Sequence, residues 1–190
     1  MAEGVLVVLA GTSGAGKGTI GRMLLERYPD LRWSVSWTTR PPRSDEVEGV
    51  DYHFVTREDF ERLRDSGGFL ESFEVYGDLK GTPRQFVVDA LAAGHDVLLE
   101  LDVHGALKTR EAVPNALLVF VRAPSREEQR RRLEARAADD PEALERRLAR
   151  AEAEETLAAE QFDAVIVNDD VGRAVGELAA IVEARRNGSR

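Results

Sequence analysis

The chain has 190 residues, 43% of them hydrophobic, and 35 acidic against 26 basic side chains give it a formal net charge of −9. That length supports one substantial core, expected as a single domain with insertions, while the acidic balance argues against a general nucleic-acid binder, which needs a basic face. Without cysteine there is no disulfide and no cysteine-ligated zinc, and with neither a leader-like start nor a bilayer-length apolar run the expectation is a cytoplasmic chain without membrane contact.

The first apolar run, Val5 to Ala10, reads as a buried strand. It leads directly into Gly11-Thr12-Ser13-Gly14-Ala15-Gly16-Lys17-Gly18-Thr19 and then into a helix predicted from about Gly16 to Tyr28. Small residues let backbone N–H groups approach phosphate oxygens, the helix N-terminus adds its positive dipole end, and Lys17 adds a full charge near the outer phosphates. Strand, glycine-rich loop, lysine and helix together make a phosphate cradle. The pattern usually places Ser or Thr directly after the lysine as a magnesium ligand, whereas this chain has Gly18 and only then Thr19. Magnesium is therefore expected here mainly through water, as is common in phosphate sites.

From Ser34 to Gly81 the rhythm breaks into short extended pieces around one helix, Arg57 to Asp65. Such an insertion forms a small lobe suited to a second substrate. Its first part, Ser34-Val-Ser-Trp-Thr-Thr-Arg-Pro-Pro-Arg43, sets two arginines three residues apart in a proline-stiffened segment, followed by Glu46, Gly49, Asp51 and Tyr52. Two fixed guanidinium groups suit a phosphate, and a surface ion-pair cluster is the plain alternative.

Beyond the lobe, apolar runs alternate with amphipathic helices. Helices are predicted over Thr82 to Ala93, Val103 to Val113, Ser125 to Arg136, Pro141 to Phe162 and Val171 to Arg186, and strands over Asp96 to Asp102, Ala116 to Ala123 and Ala164 to Asn168. This alternation specifies an α/β fold with a parallel central sheet covered on both faces. The break from Arg136 to Pro141, between two arginine-rich helices, is a candidate lid.

Taken together these segments resemble the guanylate kinases, P-loop enzymes that transfer the γ-phosphoryl group of ATP to GMP. The likeness runs almost end to end, through Gly11 to Thr19, Ser36 to Arg43, Gly49-Val-Asp-Tyr-His-Phe-Val55, Gly68-Phe-Leu-Glu71, Gly81-Thr82, Leu99-Glu-Leu-Asp102, Gly105-Ala106, Arg132-Leu-Glu-Ala-Arg136, Arg146-Arg-Leu148 and Val165-Ile-Val-Asn-Asp169. It implies a P-loop NTPase fold of three α/β/α layers: a core of 1–33, 83–135 and 148–190, an NMP-binding lobe of about 34–82, and a lid of about 136–147. It also implies ATP and Mg2+ as donor and cofactor and GMP as acceptor, and it leaves the oligomeric state open.

By the same resemblance Arg40, Arg43 and Tyr52 hold the GMP phosphate, and Ser36, Glu71, Thr82 and Asp102 read guanine. The chemistry agrees, since one carboxylate accepts guanine N1–H and the exocyclic amine side by side, and adenine offers neither pairing. Lys17, Arg132, Arg136 and Arg147 are the implied catalytic residues, because phosphoryl transfer needs positioning and charge more than covalent chemistry. Asn168 is the implied residue near adenine. Five positions depart from the family pattern besides sharing its frame: Gly18 after the lysine, Thr12 for a proline in the loop, Asp45 for a glycine beside the clamp, Lys80 for a tyrosine at the GMP phosphate, and Glu100 for an aspartate facing the magnesium shell. A related kinase with another acceptor and a non-catalytic phosphopeptide-binding domain of the same shape are the alternatives. A GTP-hydrolysing switch fits poorly, because Asn168-Asp169-Asp170 lacks the lysine of the Asn-Lys-x-Asp motif.

Overall fold

The computed structural model describes residues 4–43, 46–75, 77–135 and 141–188. Asp45, Arg136 and most of the 136–141 break lie outside the described residues.

Five strands form a wholly parallel sheet: β1 (Leu6–Gly11), β2 (Arg32–Trp33), β7 (Val97–Glu100), β8 (Leu117–Arg122) and β9 (Ala164–Val167), in the order β2-β7-β1-β8-β9. The central strand is buried along its whole length and its alternate side chains feed two cores. Val7 and Leu9 pack with Ile20 and Leu24 of α1 (Lys17–Arg27) and with Leu178 and Val182 of α7 (Val171–Gly188). On the other face Leu6, Val8 and Ala10 meet Val87 of α3 (Arg84–Ala92) and Ala106 of α4 (Val103–Ala112). Phe120 of β8 extends that second face to Ala158 and Phe162, at the end of α6 (Pro141–Gln161). The expected three layers follow, with α5 (Arg126–Ala135) packed beside α6.

The insertion carries its own sheet, β4-β3-β6-β5, from β3 (Trp37–Thr38), β4 (His53–Phe54), β5 (Phe69–Val75) and β6 (Asp78–Pro83). Its helix α2 spans Arg57–Asp65, the residues predicted, and starts where the Thr56 side chain accepts the Asp59 amide. A small separate core holds the lobe together, with Phe60 and Phe69 stacked at 4.3 Å between ring centroids and Leu79 beside them.

Most element ends shift by one or two residues from the sequence reading, and two differences go further. Thr82, expected to open a helix, belongs to β6, where it pairs with Glu71 across the hairpin; Pro83 then caps α3. Arg32–Trp33 forms an edge strand through its pairing with Val97 and Leu98, which no local pattern announces. Among the described residues no helix is long and apolar enough to cross a membrane.

Candidate functional site

The loop between β1 and α1 lies at the carboxyl end of the sheet, where open α/β folds bind their ligands. The carbonyls of this loop are held from several sides. Lys17 Nζ donates to the Gly11 carbonyl at 2.8 Å and to that of Thr12 at 3.3 Å. Gln129 Nε2 of α5 donates to Ser13 at 2.8 Å, and Asn168 Nδ2 donates to Ala15 at 2.7 Å. Gly16 caps α1 in the left-handed region, φ 88°, without a side-chain bond, so the first-turn amides of α1 and the positive dipole end remain for an anion. A Cβ on Gly16 would fall 2.4 Å from Asn168 Nδ2. Glycine there provides both the backbone angle and the space for the amide that pins the loop.

Asn168, expected near adenine, is thus buried behind the loop, with its side chain committed to Ala15. Its own carbonyl accepts from Arg132 Nη2 at 3.0 Å, and Arg132 Nε is held at 2.7 Å by Glu128. Arg132 therefore stands beside the loop in a fixed orientation. Arg147 is half-buried on α6, and Arg136 lies outside the described residues. Thr12 is fully buried in the loop with a hydroxyl that finds no partner among the described residues; Thr19 is exposed on the first helical turn. Glu100, at the end of β7, places Oε2 3.3 Å from where a Gly18 Cβ would lie. The longer carboxylate thus reaches the edge of the space that a side chain after Lys17 would enter. Among the described residues no cluster of three or more metal-ligating side chains occurs.

The second half lies on the inserted lobe. Arg40 forms a bidentate pair with Glu46, with Nη1 at 2.7 Å from Oε2, and its guanidinium lies 5.1 Å from the Tyr52 ring centroid and 5.7 Å from that of Phe54. Lys80 approaches the same Tyr52 ring at 4.8 Å and donates to its hydroxyl at 3.2 Å. One phenol thus gathers two cations. The Arg43 amide donates to Glu46 at 2.8 Å, which bends the segment into a turn, while its guanidinium is 54% exposed. The Arg40 guanidinium beside Glu46 holds that carboxyl below its ordinary range, so the pair stays ionised at neutral pH.

Glu71 and Thr82 face each other across β5 and β6, and the Thr82 hydroxyl donates to Glu71 Oε1 at 2.7 Å. Glu71 is 6% exposed, and its Oε2 has no partner among the described residues. Burial pushes its carboxyl up to about 7, with the Asp102 charge adding to the rise. Asp102 caps α4, its Oδ1 accepting the Gly105 amide at 2.8 Å. Ser36 is half-buried just before β3, and its carbonyl accepts the His53 amide at 2.9 Å. The sequence reading missed Gln129, Arg150 and Glu154; Arg147, Arg150 and Glu154 share one helical face at i, i+3 and i+7, but that spacing does not show what the face meets.

The family model described as guanylate kinase matches residues 3–185. A guanylate kinase of Symbiobacterium thermophilum is 50% identical over 97% of this chain and 87% of its own length. One of Rubrobacter xylanophilus is 50% identical over 96% of this chain and 95% of its own. The crystal structure of guanylate kinase from Anaplasma phagocytophilum superposes with a TM-score of 0.80 at 36% identity, covering 96% of this chain and 86% of that one.

Proposed function

The chain belongs to the guanylate kinase family and transfers the γ-phosphoryl group of ATP to GMP, and we propose that the loop at Gly11–Thr19 is its donor half and the lobe at about 34–82 its acceptor half. The observation that carries this division is Glu71, a buried carboxylate with one open oxygen, set in the lobe that also bears the Arg40, Tyr52 and Lys80 cluster. Guanine supplies the two parallel N–H donors that this oxygen pair accepts, and Asp102 and Ser36 complete the base pocket. Arg40, Arg43, Tyr52 and Lys80 hold the acceptor phosphate, the Lys80 ammonium standing in for the family's phenol.

In the reaction an acceptor phosphate oxygen attacks the γ-phosphorus of ATP, and the bond to the β,γ-bridging oxygen breaks, giving GDP and ADP. The protein contributes position and charge. Lys17 supports the outer phosphates, Gln129 and Asn168 keep the loop in shape, and Arg132, Arg147 and Arg136 neutralise charge on the equatorial oxygens. Mg2+, when bound, neutralises phosphate charge, and Glu100 is the carboxylate that would face its hydration shell. A lid of about 136–147 closes over ATP and excludes water. The setting proposed is cytoplasmic purine nucleotide metabolism, with dGMP as a second acceptor.

A panel of GMP, dGMP, AMP, CMP and UMP with ATP and Mg2+ tests this reading. GMP and dGMP should turn over fastest; faster turnover of any non-guanine acceptor overturns the assignment of the base pocket. Lys17→Ala should lower kcat by at least about 10²-fold, the scale of losing one charge-stabilising group, and ordinary activity in that variant would refute the cradle.

A further inference from the structure

Arg150 lies on α6, three residues beyond Arg147, and is held on both sides by acids. Its Nε is 2.8 Å from Glu154 Oε1 one turn later, and its Nη2 is 3.8 Å from Asp102 Oδ2 on the other side of the cleft. Glu154 is 12% exposed in its side chain and Arg150 is 38% exposed, so a nearly buried carboxylate anchors a half-buried guanidinium beside Asp102. Asp102 Oδ1 accepts the Gly105 amide at the start of α4, and Oδ2 is the oxygen turned toward Arg150. At 3.8 Å the guanidinium orients and neutralises Oδ2 without occupying it as a close hydrogen-bond donor would.

We infer that Arg150 is a positioning residue for the acceptor base: from α6 it holds the outward oxygen of Asp102 where the second proton of guanine's exocyclic amine is read. The inference rests on the reading of Glu71 and Asp102 as the base pocket. Guanine's donor edge carries three protons, one on N1 and two on the amine. Glu71 accepts the N1 proton and one amine proton, which leaves the other amine proton for Asp102. Two carboxylates around one neutral base repel each other, and a cation beside Asp102 offsets that repulsion. Arg150 supplies it from α6, so that the base pocket is completed by an element outside the inserted lobe. Lys108, on α4, adds a second cation near Glu71.

Hypoxanthine separates this role from a structural one, because IMP keeps N1–H and O6 but lacks the amine. Steady-state kcat/KM for GMP and IMP, with KM for ATP, would be measured in the wild type and in Arg150→Ala, Arg150→Lys and Asp102→Asn; asparagine keeps a capping acceptor for α4. Arg150→Ala should lower kcat/KM for GMP roughly tenfold, the scale of one hydrogen bond to a charged group, while IMP and the KM for ATP change little. The GMP:IMP ratio therefore shrinks, and Arg150→Lys should restore part of it. Asp102→Asn should shrink the ratio at least as much. A wild-type ratio in Arg150→Ala beside a collapsed ratio in Asp102→Asn would overturn the inference alone. An unchanged ratio in Asp102→Asn would overturn the assignment of Asp102 to the base pocket, and the inference with it. Equal losses on GMP, IMP and ATP in Arg150→Ala, without rescue by lysine, would reduce Arg150 to a structural role and likewise overturn it.

Discussion

Glu71 sits where folding and ligand recognition ask for different protonation states. Burial raises its carboxyl from an ordinary 4.5 to about 7, so the folded chain retains a proton between those values that the unfolded chain has lost. The contribution to stability is complete below pH 4.5 and is lost as pH rises to about 7, a change of about 3 kcal/mol. Glu71→Gln should remove that downward slope, visible as the difference between wild-type and variant urea midpoints across pH 4.5 to 8. Guanine's two donors favour the ionised form, so GMP binding at pH 6.5 should release a proton and weaken as pH falls. Calorimetric titration of GMP in two buffers of different ionisation heat measures that release, and its absence would show that Glu71 is already ionised. The glycines of the phosphate loop make a contrast at the same scale. Gly16→Ala puts a Cβ against Asn168 Nδ2 at a φ of 88°, displacing the amide that holds Ala15, and ATP affinity should fall at least about tenfold. Gly18→Ala meets only Glu100 Oε2 at 3.3 Å and gains up to about 1 kcal/mol of helix propensity. Titration with a fluorescent ATP analogue should find that variant within a few-fold of wild type.

The elements of the lobe depend on a core far smaller than that of the main sheet. Phe60 of α2 and Phe69 of β5 stack over Leu79 of β6 with Trp37, Val55 and Leu63 around them. Phe60→Ala should cost about 3–5 kcal/mol, concentrated in a unit able to open without the rest. Amides of β3 to β6 should then exchange faster by hydrogen–deuterium exchange while those of β1, β7 and β8 keep their protection. The kcat/KM for GMP should fall while ATP affinity holds; loss of protection in both sheets would show that the lobe does not open by itself. The same lobe shows where the sequence was legible. Helix α2 and the runs β1, β7, β8 and β9 could be read because their signals are local. Thr82 was misplaced because Pro83 and the apolar spacing after it signal a helix start nearby, whereas its strand partner, Glu71, lies eleven residues back across a hairpin. β2 is a strand only because β7 is there to pair with it. In the candidate site the loop and the arginine pair stood out as candidates by motif and residue type, and Glu71 only through the family resemblance. Gln129 and Arg150 did not stand out, because their importance lies in what the fold brings to them: the Ser13 carbonyl in one case and Asp102 in the other.

For the molecule as a whole, the central question is how a lobe with its own sheet and core stays in register with a loop on a different sheet. Helix α4 provides the seat. Its cap is Asp102, and at Gly105 it lies so close to β5 that an added Cβ would stand 2.8 Å from Phe73 Cε1. Lys108, one turn on, donates to the Ser72 carbonyl at 3.4 Å. On the other side Arg22 of α1 pairs with Asp51 of the lobe at 2.6 Å, but Arg22 is 63% exposed, and a pair so hydrated contributes at most about 1 kcal/mol. Apolar contact at Gly105 therefore sets the lobe's position more than the ion pair does. Gly105→Ala and Gly105→Val should wedge β5 away from α4 by increasing amounts. Alanine favours the helix over glycine by up to about 1 kcal/mol, so α4 itself is not weakened by that change and a kinetic loss reports geometry. Because a misplacement of about 1 Å can cost about 10²-fold in rate, kcat should fall in the order wild type, alanine, valine. The KM for GMP should rise in the same order while ATP affinity, set at the loop after β1, stays constant. Full kcat in Gly105→Val would mean that the lobe finds its register from the substrates rather than from α4. Parallel loss of ATP affinity would mean that the wedge reaches the central sheet.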